Sequence, residues 1–208
     1  MIKNVVFDMG QVLITWSPER LIARQGYTGE DAELLKREVF SCAEWQSLDR
    51  GLPSIETCLE GIYRRIPERL WPVTEHFARA WWVEELWPVA GMAEVVREVK
   101  GLGYGVYLLS NASSFLHEYF HRIPGSECFD GKIVSADHKL LKPEKEIYRI
   151  LFDTYALEPS ECFFIDDNPA NVEAAYQLGM PGTVFFQDIR RLRKELNAAG
   201  VPVKLPET

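Results

Sequence analysis

Cysteine is scarce in this chain and never clustered. Cys42, Cys58, Cys128 and Cys162 stand far apart, so no zinc-knuckle spacing or disulfide scaffold is expected, and they read as ordinary thiols of a reducing compartment. Long apolar runs are missing as well. The stretch at residues 2–7 meets Asp8 too early to be a signal peptide or a membrane span, so a cytoplasmic protein with no membrane partner is expected. Positive charge is in short supply, with 23 Lys and Arg against 31 Asp and Glu and a formal net charge of -8. Nucleic-acid phosphates are held by clustered basic residues, so no nucleic-acid partner is expected. A small phosphorylated metabolite remains admissible, because it needs only one or two local cations and a metal. Internal repeats and low-complexity segments are also absent.

The 208 residues are 47% hydrophobic, enough for one substantial core and a smaller appended unit. Residues 2–7 form a β-branched apolar run ending at Asp8-Met9-Gly10, the pattern of a buried parallel strand and a tight turn. Residues 17–87 contain no comparable strand. Helical spacing over residues 32–45, from Ser54 and over residues 73–86 predicts three or four helices. Strands are then expected at residues 105–109, 132–134, 162–165 and 182–186. Helices are expected at 92–100, from Ser113, at 144–155 and from Asn171 to Gly179. The expected fold class is α/β: a doubly wound parallel sheet with a Rossmann-like core (residues 1–15 and 89–208), interrupted by an inserted all-helical domain (residues 16–88).

Open parallel sheets bind ligands beyond the carboxyl ends of their strands. The first strand ends in Asp8, the second in Ser110-Asn111 and the fourth in Asp166-Asp167, while Lys142 follows the third. Taken singly, these are a turn cap, a helix N-cap, a capped turn and a surface lysine. Taken together they match phosphoryl transfer. A carboxylate can attack phosphorus. A hard cation held by Asp8, Asp167 and Asp166 neutralises phosphate charge. Lys142, the Ser110 hydroxyl and nearby N–H groups suit phosphoryl oxygens.

Four ordered motifs carry a resemblance: Val5-Val6-Phe7-Asp8-Met9-Gly10-Gln11-Val12-Leu13, Val106-Tyr107-Leu108-Leu109-Ser110-Asn111, Lys142-Pro143-Glu144 and Phe163-Phe164-Ile165-Asp166-Asp167-Asn168. The chain resembles the haloacid dehalogenase-like hydrolase superfamily, and its helical block resembles that superfamily's cap. The resemblance implies that Asp8 is nucleophile and metal ligand, that the Gly10 carbonyl and Asp167 also bind Mg²⁺, and that Asp166 supports it. It implies that Ser110 and Lys142 hold the phosphoryl group, with Lys142 also organising the carboxylates. Asn111 and Arg50 are assigned to substrate binding, with a solvated arginine as the plainer reading of Arg50. The Asp-x-Gly first motif and the stretch Leu48-Asp49-Arg50-Gly51 are similar to the helical-cap branch that includes the bacterial α-glucose-1-phosphatase. The implied activity is Mg²⁺-dependent hydrolysis of a small metabolite's phosphomonoester, a sugar phosphate among the options, through an aspartyl-phosphate.

Gly10 departs from the superfamily's phosphatases, most of which carry an acid/base aspartate two residues after the nucleophile. Either the leaving group is already good, or Asp49 or a metal-bound water transfers the proton. Two further readings stay open: a metal-independent dehalogenase, and a phosphate-binding protein that has lost turnover. His117-Glu118-Tyr119-Phe120-His121 is a literal His-Glu-x-x-His match, but its aromatic residues read more plainly as packing. Trp81, Trp82 and Trp87 read as packing, or else as an aromatic wall for a ring-bearing substrate. The basic residues Arg190, Arg191, Arg193 and Lys194 read as a solvated face. Oligomeric state is open.

Overall fold

The computed structural model describes residues 1–81 and 86–205. In chain order the strands are β1 (Asn4–Phe7), β2 (Ile14–Thr15), β3 (Trp87–Pro88), β4 (Gly105–Ser110), β5 (Gly131–Val134), β6 (Cys162–Asp166) and β7 (Gly182–Val184). The helices are α1 (Pro18–Arg24), α2 (Gly29–Leu35), α3 (Ala43–Arg50), α4 (Ile55–Tyr63), α5 (Trp71–Ala80), α6 (Met92–Gly101), α7 (Leu116–Tyr119), α8 (Ser135–His138), α9 (Lys145–Tyr155), α10 (Pro169–Tyr176) and α11 (Ile189–Ala198).

Five strands form one parallel sheet in the order β5-β4-β1-β6-β7. Alternation along each strand splits the core into two layers. Val5, Phe7, Val106, Leu108, Phe163 and Ile165 pack with α6 and α11 on one face. Val6, Leu109, Cys162 and Phe164 pack with α9 and α10 on the other. Both faces are covered, which explains why these strands read as unbroken apolar runs. The expected Rossmann-like α/β class is the one observed.

The helical block between β1 and β4 has an apolar core of its own, including Leu21, Ile22, Leu35, Val39, Ile62, Leu70 and Phe77. Among the described residues it holds five α-helices, where three or four were expected. The single helix expected over residues 32–45 is broken: α2 passes into a π-helical turn, Lys36–Phe40, and the chain then bends at Ser41 before α3. α1 went unread because Pro18 and Gly26 bracket only seven residues; its start is capped by Ser17, whose hydroxyl accepts from the Arg20 N–H. The chain leaves and re-enters the sheet domain through the short antiparallel pair β2–β3. Trp82 and the end of the helix expected over residues 73–86 lie outside the described residues.

Of the basic residues read as a solvated C-terminal face, Arg191 pairs with Glu195 and Arg193 with Glu98. Among the described residues, no helix is long and apolar enough to cross a membrane.

Candidate active site

Parallel register sets the site. Phe7 lies level with Leu108 on one side and Ile165 on the other, so the next residues, Asp8, Leu109 and Asp166, emerge together at the carboxyl ends. The Asp8 N–H is still held by the Ile165 carbonyl at 2.9 Å, and the chain turns sharply after it, with Leu13 and Ile14 both donating to the Met9 carbonyl.

Lys142 arrives from the loop after β5 and is buried beneath these groups. Its Nζ donates to Asp8 Oδ1 at 2.6 Å, Asp166 Oδ2 at 2.6 Å and the Leu109 carbonyl at 2.8 Å. An ammonium has three hydrogens, so all are spent inside the protein. In this arrangement the lysine bridges the two carboxylates, and no hydrogen is left over for the phosphoryl oxygen that the sequence also assigned to it. Burial pulls its pKa down, but Asp8 and Asp166 outweigh burial and the net shift is upward. Lys142→Met keeps the stem and removes the charge, leaving two buried carboxylates without their cation. Loss of about 3–5 kcal/mol is expected, read by urea unfolding.

Asp166 is fully enclosed. Besides Lys142 it accepts from Asn171 Nδ2 at 3.0 and 3.1 Å and from the Asn168 N–H at 2.8 Å. Asp167 is half-buried and faces the cavity. Asp8, Asp166 and Asp167 can each offer an oxygen within 4.8 Å of the others, and among the described residues no other group of three has such geometry. With Lys142 among them, the fully ionised cluster carries an excess of two negative charges, and every donor is a hard oxygen. That set fits one divalent cation of the Mg²⁺ type. Burial raises the pKa of both Asp8 and Asp167; Lys142 opposes the rise in each case and Asp166 adds to it.

Asp8 and Asp167 open onto a cavity of about 300 Å³ lined also by Gly10, Gln11, Trp16, Trp45, Asp49, Trp81, Asn111 and Tyr119. Ser110 does not line it. Its hydroxyl is buried at the end of β4 and has no partner, and Ala112 and Ser113 reach the cavity instead. Asn111 does line it, but both ends of its carboxamide hold the Lys142 backbone, at 2.8 and 3.0 Å. It positions the lysine loop and keeps one Nδ2 hydrogen beyond these bonds.

Arg50 is turned away from the cavity. Its guanidinium forks onto Glu144 at 2.6 and 3.3 Å and reaches the Lys139 carbonyl, tying α3 to the sheet domain. Both partners are about one-third exposed (38% and 35%), so Arg50→Ala is expected to cost no more than about 1 kcal/mol. Substrate affinity should change little, whereas a substrate-binding arginine would raise KM at least tenfold; steady-state kinetics separates the two.

Asp49, a candidate for proton transfer from the sequence, lines the cavity beside Asp8. It comes from α3, outside the sheet domain, and its carboxyl accepts from the Ser113 N–H. Its backbone carbonyl is held by Ser135, whose hydroxyl also binds Ala112. The next turn is pressed so close that a Cβ on Gly51, whose φ is +72°, would lie 2.5 Å from the Ala136 carbonyl oxygen. Burial, reinforced by Asp8 and opposed by the Ser113 N–H, pushes the Asp49 carboxyl up to about 7.

The His-Glu-x-x-His segment does not form one helix: His117 lies in α7 and His121 in the following 3-10 turn. His117 pairs with Asp137 at 2.8 Å.

Comparison with known proteins agrees with this geometry. A sesquiterpene phosphatase of Aspergillus oryzae is 28% identical over 184 residues, covering 86% of this chain and 88% of its own. A flavin mononucleotide hydrolase of Arabidopsis thaliana is 26% identical over 117 residues, 56% of this chain and 47% of the relative, so the chain spans about half that protein. The fold is shared with a haloacid dehalogenase family enzyme from Bacteroides thetaiotaomicron, solved with magnesium and inorganic phosphate. That match has a TM-score of 0.69 and 22% identity, covering 92% of this chain and 99% of that one. Residues 2–179 match the haloacid dehalogenase-like hydrolase family, and the chain belongs to it.

Proposed function

We propose that the protein is a Mg²⁺-dependent phosphatase that cleaves the phosphomonoester of a small organic molecule through Asp8. The observation that carries this reading is the cluster of Asp8, Asp166 and Asp167 around the fully engaged Lys142, with Asp8 and Asp167 opening on a cavity. The phosphatase relatives and the magnesium and phosphate bound in the Bacteroides structure support it.

Lys142 fixes Asp8 by Oδ1, while Oδ2 lies on the Gly10 side. An Asp8 oxygen attacks phosphorus, the bond from phosphorus to the alcohol oxygen breaks, and the alcohol leaves with a proton from Asp49. Water then attacks the aspartyl-phosphate and gives a proton back to Asp49. The phosphorus–Asp8 bond breaks and orthophosphate departs. A bound Mg²⁺ would be held by Asp8, Asp167 and the Gly10 carbonyl, with Asp166 behind them, and would neutralise phosphate charge. The helical block serves as a cap, and its α3 delivers Asp49 to the chemistry.

The test is phosphate release from acetyl phosphate and a panel of phosphomonoesters. Turnover is expected with Mg²⁺ and should vanish with a chelator. A protein that releases halide from haloacids without metal, or binds phosphate without turning over any ester, would refute the reading.

A further inference from the structure

Part of the cavity wall is aromatic and comes mostly from the helical block. Trp16 and Trp45 stack with centroids 5.7 Å apart and planes at 20°, and Trp81 packs against Trp16 at 4.9 Å and against Tyr119 at 5.6 Å. Phe40 and Phe77 lie behind them and are buried, at 9% and 1% exposure. The three indoles are only partly buried and line the cavity, together with Met9 and Ile14. Packing alone would have enclosed them as it encloses Phe40 and Phe77. Instead, large ring surfaces face a half-open cavity, where they gain when a ligand covers them.

Several polar side chains around the same space are partly engaged by the protein itself, while the buried Asn171 carboxamide oxygen, also at the cavity, has no partner. Gln11 donates to the Trp16 carbonyl at 2.7 Å and accepts from Gln187 at 2.9 Å. Asn111 holds the Lys142 backbone, and Asn168 Oδ1 caps α10 through the Ala170 N–H at 3.0 Å. A sugar would bring several hydroxyls, each needing a partner to repay its desolvation. A hydrocarbon would bring none. The volume, about 300 Å³, lies at the small end of organic-ligand pockets.

Resting on the phosphatase reading, we infer that the substrate is the phosphomonoester of an apolar alcohol, with an alkyl, prenyl or aryl group of modest size lying against Trp16, Trp45 and Trp81, and not a sugar phosphate.

Calorimetric titration of the wild-type protein with Mg²⁺ and n-alkyl phosphonates, which cannot be hydrolysed, tests this directly. Affinity is expected to rise about fourfold per added methylene over the first few carbons, and benzyl phosphonate should bind at least about tenfold tighter than a hexose phosphonate. In Trp45→Ala, with folding verified by circular dichroism, the gain per methylene should shrink; if that variant does not fold, the wild-type series decides alone. A flat series, or a hexose phosphonate binding as tightly as the benzyl one, would overturn the inference. Acetyl phosphate, which has almost no organic group, reads the chemistry separately. Its hydrolysis with a flat phosphonate series defeats only the apolar site, and a rising series without hydrolysis of any ester defeats only the phosphatase.

Discussion

Asp8→Asn is expected to lower turnover of every substrate by at least about a thousandfold, because an amide cannot attack phosphorus and the residual rate comes only from binding and charge. The loss should appear in kcat, with the fold intact. Asparagine has the same shape and keeps a carbonyl oxygen for Lys142, which retains Asp166 and the Leu109 carbonyl. Burial has already raised the Asp8 pKa, so the folded protein resists ionising this group while the unfolded chain does not. Such a group weakens folding progressively as pH rises from its unfolded pKa toward its folded one. Removing it should leave the metal-free thermal midpoint unchanged or higher near neutral pH. Phosphate release measured beside the melting curve checks both halves. Activity that survives the substitution would eliminate the proposed nucleophile.

Asp49→Asn is expected to reduce turnover by about 10²–10⁴-fold, the usual range for a lost general acid and base. The loss should depend on the leaving group: large for esters of ordinary alcohols and small for acetyl phosphate, whose acetate departs without a proton. A purely structural role would lower both alike. The pH profile offers an independent reading. With its carboxyl pushed up to about 7, Asp49 is mostly protonated below that pH, so kcat for alkyl esters should fall as pH rises through about 7. Asp49→Asn should abolish that descending limb. The substitution moves stability in the opposite sense to activity. The unfolded carboxyl loses its proton near pH 4 and the folded one near 7, so folding weakens between those values and the asparagine variant should melt higher above them. A Cβ built on Gly10 would sit 3.8 Å from Asp8 Oδ2, an ordinary contact, so the space beside the nucleophile admits a side chain. Gly10→Asp in the Asp49→Asn background is therefore expected to restore part of the rate, measured with an alkyl phosphate.

Particular residues show how far the sequence could be read. Asp8, Asp166 and Lys142 were legible because each follows a short apolar strand or its loop, and parallel strands bring their ends to one edge. Their grouping needed only the order of the strands. The fine division of labour was not legible. That Lys142 has no hydrogen to spare, that Asn111 is tied to the lysine loop and that Ser110 is enclosed depend on distances across residues more than 20 positions apart. Arg50 looked like a substrate ligand from its place in the cap stretch, but its partner, Glu144, lies 94 residues away. The break between α2 and α3 was hidden because apolar spacing continues through a π-helical turn.

Strand periodicity, the apolar runs and the carboxylates that end them determined the α/β sheet and the centre on Asp8 from sequence alone, since those signals are local and repeat within a few residues. Which side chains of the helical block face the site was decided by tertiary structure. Asp49, Trp16, Trp45 and Trp81 reach the cavity only because the helical block docks on the sheet through Gly51, Ser135 and the Arg50–Glu144 pair. Asp49's altered acidity follows from the burial that this docking creates, which no pattern of neighbours along the chain encodes.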